Sequence, residues 1–241
     1  MIKFENTEVM GWEAAIRGMR NPMNSWEKSD SGWFSSEDDM GVDYVQYDSH
    51  SDPSELYFVG QNDLDLMTRL RNAGTDHRKF MRMISVYVDI TAPLYWWKEF
   101  DTYKVGTVAN SCSTMHKIHE KEFTLEDFSC EHLEDFDELF RKDGNNLTRF
   151  PWFGTYLESI IDILNYARDL YLETKDKRYW WQMIQLLPSS YNQKRTVMLN
   201  YEVLANIYKS RKNHKLDEWS VGFMEWIESL PYSELITGEE D

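Results

Sequence analysis

The apolar positions of this chain recur mostly at helical spacing, every third or fourth residue. The strongest such pattern predicts a long amphipathic helix over 152–173. A second pattern predicts a helix with Asn62 as its N-cap and Gly74 at its end. Shorter helices are expected at 9–20, 179–186 and 221–230. Helices therefore dominate the predicted structure.

One segment instead alternates apolar residues with other residues, with a period of two. Residues 81–90 place Ile84, Val86, Val88 and Ile90 on one parity, which is typical of a strand with one buried face. The chain shows no internal repeat and no linker. We therefore expect one α+β domain over 1–241, helix-rich around a central sheet, with an acidic excursion at about 117–150.

The segment after this strand predicts a helix and a loop. Thr91-Ala92-Pro93 favours a helix start, with the threonine as cap and the proline in the first turn, and the helix should run to about residue 103. Trp96 and Trp97 should diverge there, one in the core and the other facing a partner subunit. Residues 104–114 are small and polar without periodicity, so an ordered loop that lines a site is expected.

Residues 187–219 are interpreted as one long amphipathic segment. Asn200 and Arg211 are eleven residues apart, so on a helix they return to nearly the same angle, roughly 16 Å apart along the axis. They flank an apolar stripe that includes Leu204 and Ile207. Polar groups beside such a stripe need partners, which can be protein groups or a ligand.

The charge of the chain narrows the class of ligand. A net charge of −16 argues against a general nucleic-acid binder and against an anionic membrane surface. The segment just described is nevertheless locally basic, with Lys194, Arg195, Lys209, Arg211 and Lys212. An anionic small molecule is therefore favoured over a polymer.

The cysteines and the start of the chain bear on the compartment. Cys112 and Cys130 form no CxxC pattern, so a reducing compartment is expected. The first residues carry no apolar signal core, and no apolar run is long enough to span a membrane. The cytoplasm is therefore the expected location.

Familiar catalytic motifs are missing from the sequence. It contains no Walker A motif, GxGxxG, GxSxG or HExxH. His116, His119 and Glu120 could face one metal ion, with Cys112 and His132 nearby, but two spaced histidines on a polar segment are common by chance. No metal site is therefore predicted.

Several polar residues could hold a small anion or a planar ring. Lys104 and Arg211 are candidate phosphate partners, although a surface cation is the ordinary role of either. Asn200 and Asn206 could bind a ring edge or could satisfy backbone groups. The hydroxyl-rich segment 107–114 could cradle a phosphate or a heterocycle, or could be a plain connection.

Two blocks of the chain resemble the flavin-dependent thymidylate synthases (thymidylate synthase complementing proteins). The first runs from residue 89 to 107, where a strand that ends near Ala-Pro leads into a helix. In that family the helix ends in Arg-His-Arg, followed by a serine and later by a second one. The matching positions here are Thr102, Tyr103, Lys104, then Thr107, then Cys112 or Ser113.

The second block keeps the family's spacing more closely. The family has Leu-Pro, an Asn twelve residues after the proline, a second Asn six later, an Arg five later and a His soon after. Pro188, Asn200, Asn206 and Arg211 match without a gap, and His214 comes one residue early. The resemblance covers roughly 62–115 and 152–236.

The resemblance implies a reaction and a site. It implies a homotetramer that transfers a one-carbon unit reductively to C5 of a deoxyuridine nucleotide (dUMP), with FAD as cofactor and with NADPH and methylenetetrahydrofolate as co-substrates. It implies flavin contacts from Thr107, Asn110, Asn200, Asn206 and His214. It implies nucleotide contacts from Glu99, Lys104, Ser111, Ser113 and Arg211. It assigns no catalytic residue.

Several arginines of the family are replaced. Their positions carry Thr102, Ile184, Glu202 and either Thr114 or Met115. A lost charged hydrogen bond costs about 1.5–3 kcal/mol, so the usual substrate needs other cations here. Candidates are Arg78, Arg82, Lys194 and Arg195. One alternative is a related substrate or one-carbon unit, which would give a modified pyrimidine. The others are a scaffold that binds a nucleotide or a protein without catalysis, and a purely structural acidic protein.

Overall fold

The computed structural model describes residues 2–35, 44–47, 55–134, 139–143, 146–150 and 153–238. Its strands are β1 (Lys3–Met10), β2 (Gly32–Ser35), β3 (Gln46–Tyr47), β4 (Glu55–Phe58), β5 (Ser85–Pro93), β6 (Val108–Ser111), β7 (Leu139–Asp143), β8 (Asn146–Phe150) and β9 (Asn192–Asn200). Its helices are α1 (Trp12–Arg20), α2 (Gln61–Asn72), α3 (Leu94–Phe100), α4 (Phe153–Thr174), α5 (Lys177–Leu186), α6 (Tyr201–Arg211), α7 (Met224–Glu228) and α8 (Glu234–Thr237). This mixture confirms the α+β class.

The largest sheet has four strands in the order β1-β5-β9-β6. Its inner strands β5 and β9 bury alternate side chains, among them Val88, Ile90, Val197 and Leu199. A second sheet has the order β2-β4-β3 and is antiparallel. Strands β7 and β8 form an antiparallel pair within the predicted acidic excursion.

The chain divides into two compact units, each built from separate stretches. One unit contains 91–100 and 111–195, and the other contains 2–90, 101–110 and 196–241. The expectation of a single domain over 1–241 stays a prediction. In the part of the chain that the structure describes, no helix is long and apolar enough to cross a membrane.

The core of the first unit lies on the helical hairpin that α4 and α5 form. It contains Ile118, Phe123, Phe128, Leu157, Ile161, Leu164, Ala167 and Met183. The helices expected over 152–173 and 179–186 are thus confirmed as α4 and α5. In the same unit Thr124 and Asp127 form a reciprocal capping box at a 3-10 turn, Leu125–Asp127.

Helix α2 confirms the second predicted helix but not its cap. Gly60 occupies the N-cap position, and because glycine has no side chain it cannot cap the helix itself. The carboxylate of Asp30 accepts hydrogen bonds from the backbone N–H groups of Asn62 (2.9 Å) and Asp63 (3.1 Å). The cap therefore comes from a residue thirty positions earlier, which local sequence could not indicate.

The predicted start of the next helix was wrong. Thr91–Pro93 end strand β5, and α3 begins one residue later and stops at Phe100. The first N–H groups of α3, at Leu94 and Tyr95, donate to the carbonyls of Tyr191 and Ser189, both at 3.0 Å. These carbonyls, rather than the Thr91 side chain, serve as acceptors for the helix start.

Trp96 and Trp97 also differ from expectation. Both are fully buried, and their rings meet edge to face with centroids 4.9 Å apart. The indole N–H of Trp97 donates to the carbonyl of Gln193 at 2.9 Å. Neither ring is therefore left for a partner subunit.

Four further segments fold differently from the prediction. The expected loop at 104–114 contains strand β6. The segment 187–219 is strand β9 followed by α6, not one helix. The final predicted helix is a π-helical turn, Glu218–Phe223, followed by α7. The helix expected at 9–20 begins at Trp12, after strand β1.

Candidate functional site

The junction between β9 and α6 positions the first candidate residue, Asn200. Its backbone is extended, so it is the N-cap of α6 rather than a member of the helix. Its side-chain oxygen accepts a hydrogen bond from the N–H of Val203 at 3.0 Å. Because the oxygen serves as the cap, the NH2 group is the part of this amide that is left to contact a ligand.

A tight turn at Gly106 packs against this cap. Gly106 has φ +77°, and a Cβ built there would lie 3.0 Å from both Asn200 Nδ2 and Val203 Cγ2. The hydroxyl of Thr107 donates to the carbonyl of Tyr103, which closes the turn. The turn therefore needs glycine for its conformation and for its close approach to Asn200.

The last residue of α6, Arg211, is held by aromatic side chains. Its Nε donates to the hydroxyl of Tyr103 at 2.8 Å. Its guanidinium carbon lies 4.9 Å from the ring centroid of Trp219 and 5.6 Å from that of Tyr103. Arg211 is therefore a cation with a fixed orientation, which suits it to bind an anionic group.

His214 follows α6 and packs near the same indole. Its ring centroid lies 6.4 Å from that of Trp219. Its Nδ1 accepts from the N–H of Leu216 at 3.1 Å, which places the ring proton of the neutral imidazole on Nε2.

Asn206 and Glu202 face the 3-10 turn Arg78–Arg82. Asn206 is exposed, and its side-chain oxygen accepts from Nη2 of Arg78 at 3.0 Å. Glu202 is buried and accepts two hydrogen bonds from Arg82, one from Nε and one from Nη2 at 3.2 Å. Nε of Arg78 lies 3.5 Å from the same carboxylate. Hydrogen bonds to Glu202 raise the pKa of Arg82.

The remaining predicted residues are distributed over both units. Lys104 and Asn110 are exposed and belong with α6 to the second unit. Glu99, Ser111 and Ser113 belong to the first unit. There the hydroxyl of Ser113 accepts from the N–H of His116 at 2.9 Å. The structure thus brings Asn200, Thr107, Arg211 and His214 into one connected set of contacts, together with Tyr103 and Trp219.

The arginines named as possible replacements have side-chain partners of their own. The guanidinium carbon of Arg195 lies 4.1 Å from the ring centroid of Trp97, and its Nε donates to the Gln193 side chain at 3.0 Å. The carbonyl of Lys194 accepts from the N–H of Cys112 at 2.9 Å. Arg78 and Arg82 are engaged with Glu202 and Asn206, as described above.

The histidine pair lies in the first unit. The ring centroid of His119 is 4.9 Å from that of Tyr171, and the His119 carbonyl accepts from Nε of Arg168 at 3.0 Å. Within the residues that the structure describes, no group of three histidine, cysteine or acidic side chains could hold a metal ion.

Sequence reasoning missed the roles of Tyr103 and Trp219. Tyr103 occupies a position at which the family has histidine, and nothing in the sequence links it to Arg211. Trp219 lies eight residues after Arg211, and that spacing carries no motif. Arginines and aromatic residues are too common in the sequence for their presence to indicate this contact. The contact of Arg211 with Trp219 depends on how the chain folds back after α6.

Comparison with known proteins identifies the fold. No family model and no curated protein sequence matches the chain. Among solved structures, the chain is similar to thymidylate synthase X (ThyX) from Helicobacter pylori with FAD and dUMP, at 16% identity and a TM-score of 0.62, over 99% of this chain and 98% of that one. It is also similar to the UMP/dUMP methylase PolB from Streptomyces cacaoi bound with 5-Br UMP, at 12% identity and a TM-score of 0.55, over 98% and 93%.

These matches define the class of fold. The chain has the fold of the flavin-dependent thymidylate synthases, and the resemblance stated from the two sequence blocks is confirmed at that level. ThyX and PolB share this fold, so the fold does not distinguish between their substrates.

Proposed function

We propose that this protein is a flavin-dependent enzyme that transfers a one-carbon unit reductively to C5 of a deoxyuridine nucleotide. The observation that carries the proposal is the similarity of fold to ThyX over 99% of the chain. Within that fold, Asn200 lies at the start of α6 and Arg211 at its end. The one-carbon unit would come from methylenetetrahydrofolate and the hydride from NADPH. FAD, when bound, supplies the redox chemistry of such a reaction.

The side chains around α6 fit a flavin. The Asn200 NH2 group lies beside Gly106, where any Cβ would come within 3.0 Å of this donor. Asn206 is exposed, and the oxygen of its amide is already bound to Arg78, so a ligand would meet its NH2 donor. With Thr107, Asn110 and His214, these residues would orient the ring through hydrogen bonds.

The side chains proposed for the nucleotide are Glu99, Lys104, Ser111, Ser113 and Arg211. Arg211 carries the strongest argument, because Tyr103 and Trp219 hold its guanidinium in place before any ligand arrives. A cation that is already ordered loses little conformational entropy when it binds phosphate. Lys104, which is exposed, would add a second positive charge.

The replaced arginines favour a second candidate function. Thr102 and Ile184 are uncharged and Glu202 is acidic, so three cations of the family are absent from their usual positions. A scaffold that has lost catalysis and binds a nucleotide or a protein is consistent with this loss.

The absorbance spectrum of the purified protein and an assay of its activity together separate the two candidates. We expect bound or added FAD to give the flavin bands in the visible blue, and we expect oxidation of NADPH to depend on methylenetetrahydrofolate and dUMP. A protein that fails to take up FAD would exclude the enzyme. One that binds FAD and dUMP without methylating the ring would support the inactive scaffold.

Arg211→Ala tests the nucleotide site. We expect it to abolish measurable dUMP binding in isothermal titration calorimetry, because the variant removes the guanidinium that Tyr103 and Trp219 hold in place. Lys209→Ala is the matched control, since Lys209 is an exposed cation on the same helix. Equal affinities for the two variants would show that the nucleotide lies elsewhere.

The assembly and the compartment belong to the same proposal. We propose a homotetramer that works in the cytoplasm, without nucleic-acid or membrane partners. The support is the resemblance to the family, the net charge of −16 and the cysteine usage of the chain.

A further inference from the structure

Three charged side chains form a compact cluster beside the start of α6. Glu202 lies in the first turn of the helix, and Arg78 and Arg82 come from the turn that packs on it. The exposed fractions of the side chains are 10% for Glu202, 16% for Arg78 and 55% for Arg82. The carboxylate is thus covered by two guanidinium groups, and one of these faces solvent.

The cluster carries excess positive charge. Two guanidinium groups share the Glu202 carboxylate, which leaves these three side chains with a net charge of +1, and Asp76 is a further acid that acts on Arg82. The pKa of nearby Arg71 is lowered, first by burial and then by repulsion from Arg78. The amino end of α6 adds the partial positive charge of its backbone N–H groups. An anion is therefore attracted to this point of an otherwise acidic protein.

The geometry also leaves donors for a ligand. Arg82 uses Nε and Nη2 for Glu202, and no described residue accepts a hydrogen bond from its Nη1. Arg78 binds the Asn206 side chain through Nη2, so the cluster is joined to a residue proposed to contact the flavin. Two hydrogen bonds to Glu202 fix the plane of the Arg82 guanidinium, and an ordered guanidinium matches the geometry of phosphate.

We propose that Arg78 and Arg82 bind the phosphate groups of the flavin cofactor, with Glu202 as a positioning residue. The inference rests on the proposed function. A phosphate contact from these arginines explains how Glu202 can occupy a position at which the family has arginine. The positive charge comes instead from Arg78 and Arg82, in the turn before β5. Arg82 makes the direct contact, and Arg78 links the phosphate site to Asn206.

The test compares FAD with riboflavin, which has the same ring system without phosphate. Binding is measured by quenching of flavin fluorescence in wild type, Arg82→Ala and Lys79→Ala. Lys79 is an exposed cation of the same turn and serves as the matched control. We expect Arg82→Ala to weaken FAD binding about tenfold or more and to leave riboflavin binding within twofold. Lys79→Ala should bind both as wild type does.

Two further measurements exclude a structural explanation. Arg82→Gln keeps a long polar side chain and should reproduce the loss for FAD, and thermal unfolding confirms that each variant is folded. FAD affinity of wild type should fall as salt is raised, and less steeply in Arg82→Ala. Glu202→Gln should weaken FAD binding and not riboflavin binding, because the guanidinium of Arg82 loses one of the two acceptor oxygens that orient it.

The outcomes separate this inference from the proposed function. Equal loss for FAD and riboflavin in Arg82→Ala would show a structural role and overturn the inference. Unchanged FAD binding in Arg82→Ala would overturn it as well, while flavin binding by wild type would leave the proposed function standing. If wild type binds neither flavin, both fall together.

Discussion

Gly106 has a backbone conformation that favours glycine, and it packs directly against Asn200 of the candidate site. Its φ is positive, and a Cβ would press on Asn200 and Val203, whereas the Cβ of an alanine at Gly74, also at positive φ, would meet open space. We expect both alanine variants to lose roughly 1–2 kcal/mol of unfolding free energy from backbone strain. Only Gly106→Ala should also weaken FAD binding, because it displaces the Asn200 amide. Equal FAD affinities in titrations of the two variants would contradict this.

Asp63 is a buried acid whose side chain accepts several hydrogen bonds. It is fully buried and accepts hydrogen bonds from Nε of Arg20 at 2.6 Å and from the hydroxyls of Ser29 and Ser31, both at 2.7 Å. Burial alone raises its pKa, but these hydrogen bonds and the charge of Arg20 outweigh burial and hold the pKa below its usual value.

This shift predicts an acid-dependent stability. Because the folded pKa of Asp63 is lowered, its contribution is complete above the unfolded pKa of about 3.9 and is lost as pH falls through the folded value. Asp63→Asn should lose about 3–5 kcal/mol at neutral pH, since Arg20 stays buried without its carboxylate. Its stability should also vary less with pH below about 4. Urea unfolding measures both effects, with exposed Asp65→Asn as a control that stays near wild type.

At the scale of elements, the start of α6 combines a structural and a binding role in one side chain. The oxygen of Asn200 caps the helix, and its NH2 group is the part that we propose contacts the flavin. Asn200→Asp keeps the cap and removes the donor, so stability should be retained while FAD binding weakens. Asn200→Ala removes both and should also lose about 1 kcal/mol of unfolding free energy. If the aspartate variant binds FAD as wild type does, the amide does not contact the flavin.

The elements also show what the sequence could reveal. Helix α4 was predictable because Leu157, Ile161 and Leu164 repeat along one buried face. Strand β6 was not, since all four of its side chains are exposed and only backbone pairing makes it a strand. Strand β9 was missed because its buried Leu199 also fits the helical spacing of the apolar residues that follow in α6.

The candidate site shows the same division between local and distant information. Asn200, Asn206 and Arg211 stand out because one helix sets their spacing. The partners of Arg211 could not be predicted, because Tyr103 lies 108 residues away in the chain. The charge pairing of Glu202 with Arg82 spans 120 residues and was anticipated only as a need for other cations. The spacing along the chain therefore indicates which polar residues lie on one helix, but the residues that contact them are known only from the folded structure.

At the scale of the whole molecule, helix α4 has an apolar surface suited to the proposed homotetramer. Phe153, Tyr156, Ile163 and Tyr166 are 47%, 59%, 51% and 68% exposed, and at helical spacing they fall within roughly 140° of one face. Exposed apolar stripes of this kind favour association. We therefore expect sedimentation analysis of wild type to give about four times 28.9 kDa.

Ile163→Glu should lower that mass, because a carboxylate in a closed apolar contact would be desolvated without a partner. Val221→Glu is the control, since Val221 is 47% exposed and lies outside α4, so its variant should keep the wild-type mass. A wild-type monomer would remove the tetramer from the proposal, and it would also require each chain to form its flavin site alone. A tetramer that survives Ile163→Glu would place the subunit contacts on another surface.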